Sequence, residues 1–443
     1  MDKTDSLSTT SETPISKHST ERKQISNFNK YYTLVLLTIV YSFNFIDRQL
    51  LSILQEAIKA DLGLTDSQLG LLTGFSFALF YVIAGIPIAK LADRSNRKNI
   101  VAFSLFLWSF MTAISGFVQN YLQLLLARIG VGIGEAGGSP PSHSIISDIF
   151  PAHARASALG FYSTGVNIGI LFGFLLGGWL NEAFGWRTAF MIVGAPGILL
   201  AVIVAFTIRE PIRGLAENKT ASEESASFKQ VLSLLWQRHS FRHLALGAAL
   251  SAFVGYALVS WIASFMIRLH GMATAELGVW LALIIGVGGA IGVFGGGVMA
   301  DRLAKKDQRW YLWLPAICSL ITLPFIVLFC LASTKETAIM AMIIPGIFVN
   351  VYLGSVIAVA HSLVGLKMRA MASAILFLVI NILGLGLGPW SVGILSDLLS
   401  TTYQAESLRY ALLFLVPTVC FWSVIHYVKA TKHLKQDLAN APD

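Results

Sequence analysis

From Tyr31 onward the chain passes through twelve apolar stretches, each long enough to cross the roughly 30 Å hydrocarbon core of a bilayer. They run at about 31–54, 70–91, 99–119, 121–146, 156–180 and 188–208, then at 244–266, 276–299, 310–331, 337–361, 371–396 and 408–428. Lipid offers no partner to a backbone amide, so stretches of this kind are expected to be helices. Only 13% of the residues are charged, about half the share of a soluble domain, and the mean hydropathy is +0.68. The expected fold is an all-α membrane protein of twelve transmembrane helices in two sets of six.

Two stretches carry charge: Asp47 and Arg48 lie in the first, Arg128 and Glu135 in the fourth. A charge at the centre of a span costs about 2.5 to 3.5 kcal/mol even on insertion scales. Four facing lipid would cost roughly 10 to 14 kcal/mol, as much as a whole domain's stability. They must therefore face one another or water, and two acids with two bases neutralise as a set. At 1.5 Å per residue, Asp47 lies roughly 24 Å from the start of its stretch and Arg128 roughly 10 Å from the opposite face, which is one depth. The expectation is an Asp47–Arg128 ion pair. Arg48, turned about 100° away, is left to meet a ligand's anionic group. Arg128, Gly132 and Glu135 fall at i, i+4 and i+7 on one helix face, and Pro140-Pro141 should bend the cytoplasmic third of the same helix. Glu135 is the expected proton carrier, because desolvation favours a neutral acid and a nearby cation an ionised one, so a moving arginine changes its hold on a proton. Asp47 is the next candidate.

Residues 1–30 read as a disordered cytoplasmic tail, 31–208 and 244–428 as two six-helix bundles, and 429–443 as a second cytoplasmic tail. Between the bundles, 209–243 reads as a cytoplasmic linker ending in an amphipathic helix, with Phe228, Val231, Leu234 and Leu235 at helical spacing. With the N-terminus inside, only five of the 32 Lys and Arg fall in the outer loops (Lys59, Arg187, Arg268, Lys335 and Arg409), two are Arg48 and Arg128, and the remaining 25 are inside. That bias orients both termini toward the cytoplasm of an inner, plasma-membrane protein. The halves echo each other: Asp93-Arg94 recurs as Asp301-Arg302, and Ala156-Ser157-Ala158 as Ala372-Ser373-Ala374. Weak internal repetition of six plus six spans is the mark of two-bundle transporters whose site lies between the halves.

The loop after the second stretch reads Ala89-Lys90-Leu91-Ala92-Asp93-Arg94-Ser95-Asn96-Arg97-Lys98. It resembles the G-x-x-x-D-R-x-G-R-[RK] signature of the major facilitator superfamily, with Ala89 and Asn96 in place of its two glycines. The resemblance implies the major facilitator fold, with Asp93, Arg94 and Arg97, and Asp301 and Arg302 in the second half, gating the cytoplasmic side. Asn44-Phe45-Ile46-Asp47-Arg48-Gln49 together with Arg128-Ile129-Gly130-Val131-Gly132-Ile133-Gly134-Glu135-Ala136 narrows the resemblance to the Spinster family, including its bacterial members. That family implies proton-linked transport of lysophospholipids or sphingosine-phosphate-like amphiphiles, with Asp47, Arg48, Arg128 and Glu135 at its charged cavity positions.

Glycines at every fourth place in the fifth stretch (Gly165, Gly169, Gly173, Gly177) are expected to pack helices, as are those of the eighth. Of the polar groups inside spans, Tyr162 and Asn167 are taken as substrate-binding candidates, while His143 and His361 read as structural. Cys318, Cys330 and Cys420 show no metal-ligand spacing, and no cofactor or metal is expected. The absence of G-x-x-x-x-G-K-[ST] argues against ATP-driven pumping. The dispersed basic residues argue against nucleic acid, and no nucleophile-base spacing suggests an enzyme. The leading expectation is a monomeric, proton-coupled carrier of an amphiphilic anionic lipid working by alternating access. A carrier of small organic anions such as sugar acids is the alternative, and a non-transporting membrane sensor ranks lower.

Overall fold

The computed structural model describes residues 26–213, 227–365 and 368–442, and these are helical almost throughout. Helices joined end to end across a kink form twelve rods, consistent with the number expected. They are α1 (Asn27–Leu62), α2 (Asp66–Arg94), α3 (Arg97–Ser115) and α4 in two pieces (Tyr121–Glu135 and Ser139–Ile149). The limbs of Ala152–Thr207 on either side of Gly185 are α5 and α6, since Gly185 adopts φ 78°. The second half holds α7 (His239–His270), α8 (Thr274–Ala304), α9 (Trp310–Leu331), α10 (Lys335–Ser362), α11 (369–403) and α12 (Ser407–Ala439). By length and apolarity alone nine of the described helical stretches qualify to cross a membrane, because α5–α6 and α11–α12 each run on as one and both pieces of the broken α4 are too short.

The first helix begins at Asn27, with Ser26 Oγ accepting from the Asn29 amide, so residues 27–30, assigned from sequence to the tail, are helical. Residues 1–25 and 214–226 lie outside the described residues. The linker helix Phe228–Gln237 buries Val231 and Leu235, and α12 continues helically to Ala439. In α4 the prolines do more than bend: the helix ends at Glu135, and Pro140 and Pro141 sit in the first turn of a new one, where a missing N–H costs nothing. Kinks also mark the second half. Ala282–Val287 in α8 and Ile380–Gly386 in α11 are π-helical turns, a widening that recurs at functional positions.

Odd-numbered rods run away from the face that holds the two described ends of the chain, here the terminus face, toward a far face. The halves are joined from the far face down to about mid-depth. Arg268 at the end of α7 donates to Glu56 (2.8 Å) and to both oxygens of Asp66 (2.6 and 2.7 Å). Asp66 also takes Lys59 (2.5 Å) and Ser396 (2.7 Å). Asp397 on α11 accepts from the backbone amides of Asp66 (3.0 Å) and Ser67 (2.8 Å), so the second half caps the first turn of α2. Deeper, backbone meets backbone: a Cβ on Gly74 would stand 2.7 Å from the Gly386 carbonyl oxygen, and one on Gly178 would collide with that of Thr274.

On this geometry Gly178→Val is expected to push the far ends of α5 and α8 apart. Thiol labelling of a cysteine placed beside the far seam should then rise above its wild-type rate. Equal rates in well-folded protein would mean that the seam does not hold the far face shut.

Candidate functional site

The four charges of α1 and α4 come together as two crossed pairs at mid-depth. Asp47 Oδ1 lies 3.6 Å from Arg128 Nη1, and Arg48 donates to Glu135 Oε2 at 2.7 and 2.8 Å. Asp47, Arg128 and Glu135 are each at most 2% exposed, whereas the Arg48 side chain keeps 16%. Arg48 is therefore not a spare cation, as reading its own helix alone suggests. Glu135 lies roughly 10 Å nearer the terminus face than Arg128, and the gap to Arg48 is closed because side chains lean toward their helix N-terminus, which tilts the long Arg48 down and Glu135 up.

Small residues let the neighbouring helices close in on α4. A Cβ on Gly132 would stand 3.0 Å from the Phe77 carbonyl oxygen, and one on Gly134 would stand 2.8 Å from the Trp108 amide, so α2 and α3 press directly on α4. Phe77 is thereby placed between the two arginines, 4.7 Å from the Arg48 guanidinium and 5.6 Å from that of Arg128. Phe45 (4.9 Å) and Tyr81 (5.5 Å) complete an aromatic surround for Arg48, which suits a weakly hydrated, delocalised cation. Tyr256 of α7 packs against the cores of both halves and lies near Arg48, which places Arg48 beside the seam between them.

Thr112 of α3 donates to Asp47 Oδ2 at 2.5 Å, its one hydroxyl hydrogen shared with the Trp108 carbonyl; sequence reasoning missed this partner because a threonine in an apolar helix ordinarily bonds its own backbone. Asp47 Oδ1, Arg128 Nε and Nη1, and Glu135 Oε1 find no hydrogen-bond partner within the described residues, so the set retains bonding capacity.

Tyr162 is buried one layer toward the terminus face, stacked on Tyr41 (4.5 Å) with His143 edge-on (5.2 Å), and does not join the charged set. Asn167 is half-buried on the α5 stripe that continues through Leu171 and Phe174 to Gly178, the stripe that meets the second half. The gating candidates divide. Asp93, Arg94, Asp301 and Arg302 are exposed on the terminus face, where Asp301 accepts from Tyr311 of its own half (2.9 Å). Arg97 is 1% exposed and clamps Asp148 of α4 and Glu210 after α6 within the first half, a place inside one bundle rather than at an inter-half latch. The far-face partners Glu56, Asp66, Arg268 and Asp397 went unrecognised, since acids and bases in short loops read as ordinary solvated charge.

Two six-helix halves, a buried ionic centre between helices of one half and a seam shut on one side define a multi-pass membrane transporter. The chain belongs to the major facilitator superfamily, whose model matches residues 37–389. It is 34% identical over 403 residues to an MFS-type efflux pump of Mycolicibacterium smegmatis, covering 91% of this chain and 93% of that one. It is 27% identical to spinster homolog 3 of Danio rerio, covering 93% and 87%, and 28% identical over 63% of its length to 66% of a probable galactarate/D-glucarate transporter of Bacillus subtilis. The structure superposes with TM-score 0.80 and 33% identity on a bacterial homologue of the human lysosomal transporter Spinster in an inward-facing, unoccupied conformation, over 94% of this chain and 98% of that one. The chain is thus a superfamily transporter related both to Spinster proteins and to sugar-acid carriers.

Removing Asp47 leaves Arg128 buried without its counter-ion, which typically costs about 3 to 5 kcal/mol, so Asp47→Ala should lower the unfolding temperature sharply. Thr112→Val removes one hydrogen bond to a charged group, about 1.5 to 3 kcal/mol, and should give a smaller drop. Thermal unfolding in one detergent ranks the two, and the reverse order would show that Thr112 rather than Arg128 holds Asp47.

Proposed function

We propose that this chain is a proton-coupled secondary carrier of an amphiphilic anion with lysophospholipid- or sphingosine-phosphate-like chemistry, working by alternating access with both termini in the cytoplasm. The observation that carries the reading is the Arg48–Glu135 pair: an arginine that is still accessible holds a buried acid. An anionic head that engages Arg48 competes with Glu135 for the same guanidinium. A carboxylate that loses its cation in a buried place takes up a proton. Substrate and proton are then coupled through one side chain, with Asp47–Arg128 as the standing pair beside it. The relatedness to Spinster proteins and to an efflux pump supports this reading.

The surroundings of Arg48 favour an amphiphile. Phe45, Phe77 and Tyr81 offer ring faces, where a polyhydroxylated anion needs several directed hydrogen bonds. The sugar-acid reading keeps one specific support, the relatives named for galactarate and glucarate transport, and is set against the first by the same assay. Asp93, with Asp301 as its counterpart, is assigned to the cytoplasmic latch of the opposite, outward-open state. Their exposure in the present arrangement leaves them available for it.

Purified protein in liposomes with an imposed pH gradient, offered lysophospholipid and glucarate side by side, distinguishes the substrates. Lysophospholipid movement that tracks the gradient is expected, and movement of glucarate alone would transfer the function to the sugar-acid class. Glu135→Gln imitates the protonated acid and should bind the lipid while losing the response to the gradient. Uphill transport by this variant with the wild-type pH dependence would remove Glu135 as the proton carrier.

A further inference from the structure

The second half holds another concentration of cationic side chains, remote from the central charges, along the seam where α7 and α12 reach the terminus face. On α12, Trp422, His426, Lys429 and His433 fall at i, i+4, i+7 and i+11, one stripe of the helix. On α7, His239, His243 and Leu246 form the matching stripe, with Arg242 beside it. The stripes meet: His243 Nδ1 and His426 Nδ1 are 2.9 Å apart, and the rings of His239 and His433 are 5.2 Å apart. Arg242 lies 2.7 Å from His239 Nδ1, and since a guanidinium has nothing to accept with, that nitrogen is the acceptor.

Among the described residues neither Arg242 nor Lys429 forms an ion pair with an acid. Asp437, the acid on the same stretch of α12, directs its Oδ2 to the Ser240 amide (2.8 Å) and hydroxyl (2.6 Å) rather than to either cation. His426 is 9% exposed, so the seam reaches inward between the helices rather than lying flat on them. On its membrane side the surface turns apolar: Phe421, Trp422, Ile425 and Leu246 all point outward. A notch whose two cations lack an ion-pair partner, continued by exposed aromatic and aliphatic surface, has a two-part complement, an anionic head attached to acyl chains. Free phosphate would satisfy only the first part.

We propose that this seam binds the phosphate of an anionic glycerophospholipid drawn from the leaflet at the terminus face, with Arg242 and Lys429 as its fixed cations and the histidines as hydrogen-bond donors between them. The lipid ties the first helix of the second half to its last, independently of the transported substrate, and its chains lie over Trp422.

The test is retention of lipid by the detergent-purified full chain, read by native mass spectrometry and by unfolding temperature, with phosphatidylglycerol, phosphatidylcholine and inorganic phosphate offered separately. Phosphatidylglycerol should stay bound and raise the unfolding temperature, with the other two ineffective. Arg242→Gln/Lys429→Ala should weaken phosphatidylglycerol binding roughly tenfold or more, and Lys429→Ala alone, at an exposed position, should weaken it in protein that unfolds like the wild type without lipid. Equal retention of the two lipids, an equal shift from inorganic phosphate, or wild-type affinity in Lys429→Ala would each overturn the assignment.

Discussion

Four charges at mid-depth, three of them buried, are the constraint on which the first half is built. Isolated, each would be expelled from the bilayer. Paired, they fix the rotation of α1 and α4 about their axes, because Asp47 must meet Arg128 while Arg48, one residue on, meets Glu135. Only one relative rotation satisfies both. At Gly132 and Gly134 it is α2 and α3 that press on α4, where any side chain would meet the Phe77 carbonyl or the Trp108 backbone. The same glycines bring Phe77 between the two guanidiniums, so the ionic centre and its aromatic surround arise from one packing solution.

The second half is built differently. It contributes no charge to the centre among the described residues, and it meets the first through backbone contacts and π-helical turns at Ala282–Val287 and Ile380–Gly386. Its α7 supplies Tyr256 to the seam and, at its far end, Arg268 to the ion cluster around Asp66. One half carries the buried ion pairs and the other the π-helical turns, which gives the two bundles unequal parts despite their echoing sequences.

How much of this molecule is legible in the sequence depends on range. The rods are legible because each apolar stretch answers to the bilayer alone, a local demand. The Asp47–Arg128 contact is legible because depth is a count of residues from a membrane face. Arg97 is not, because its partners Asp148 and Glu210 lie 51 and 113 positions away and a basic loop motif gives no hint of burial. Thr112 is hidden by its ordinariness. The far-face cluster is hidden because Asp66 and Asp397, 331 positions apart, meet as a carboxylate and a backbone amide, and an amide leaves no mark in the sequence. Pro140-Pro141 shows the converse, a strong local signal whose outcome, a break and a fresh helix rather than a bend, depends on where the preceding glycines let the first piece stop.

The cap that Asp397 places on α2 has a bearing on solvent. When the halves part at the far face, the amides of Asp66 and Ser67 lose their acceptor together, and the Asp66 carboxylate loses Arg268 and Ser396. Lys59 of the first half stays with the Asp66 carboxylate, and bulk water takes the places of the partners that leave. In the alternating-access cycle proposed above, opening is then a hydration reaction, in which water enters as the far-face contacts part and leaves as they close. The proposed cycle thereby answers to water activity, and a concentrated osmolyte on the far side would hold that face shut without touching any side chain.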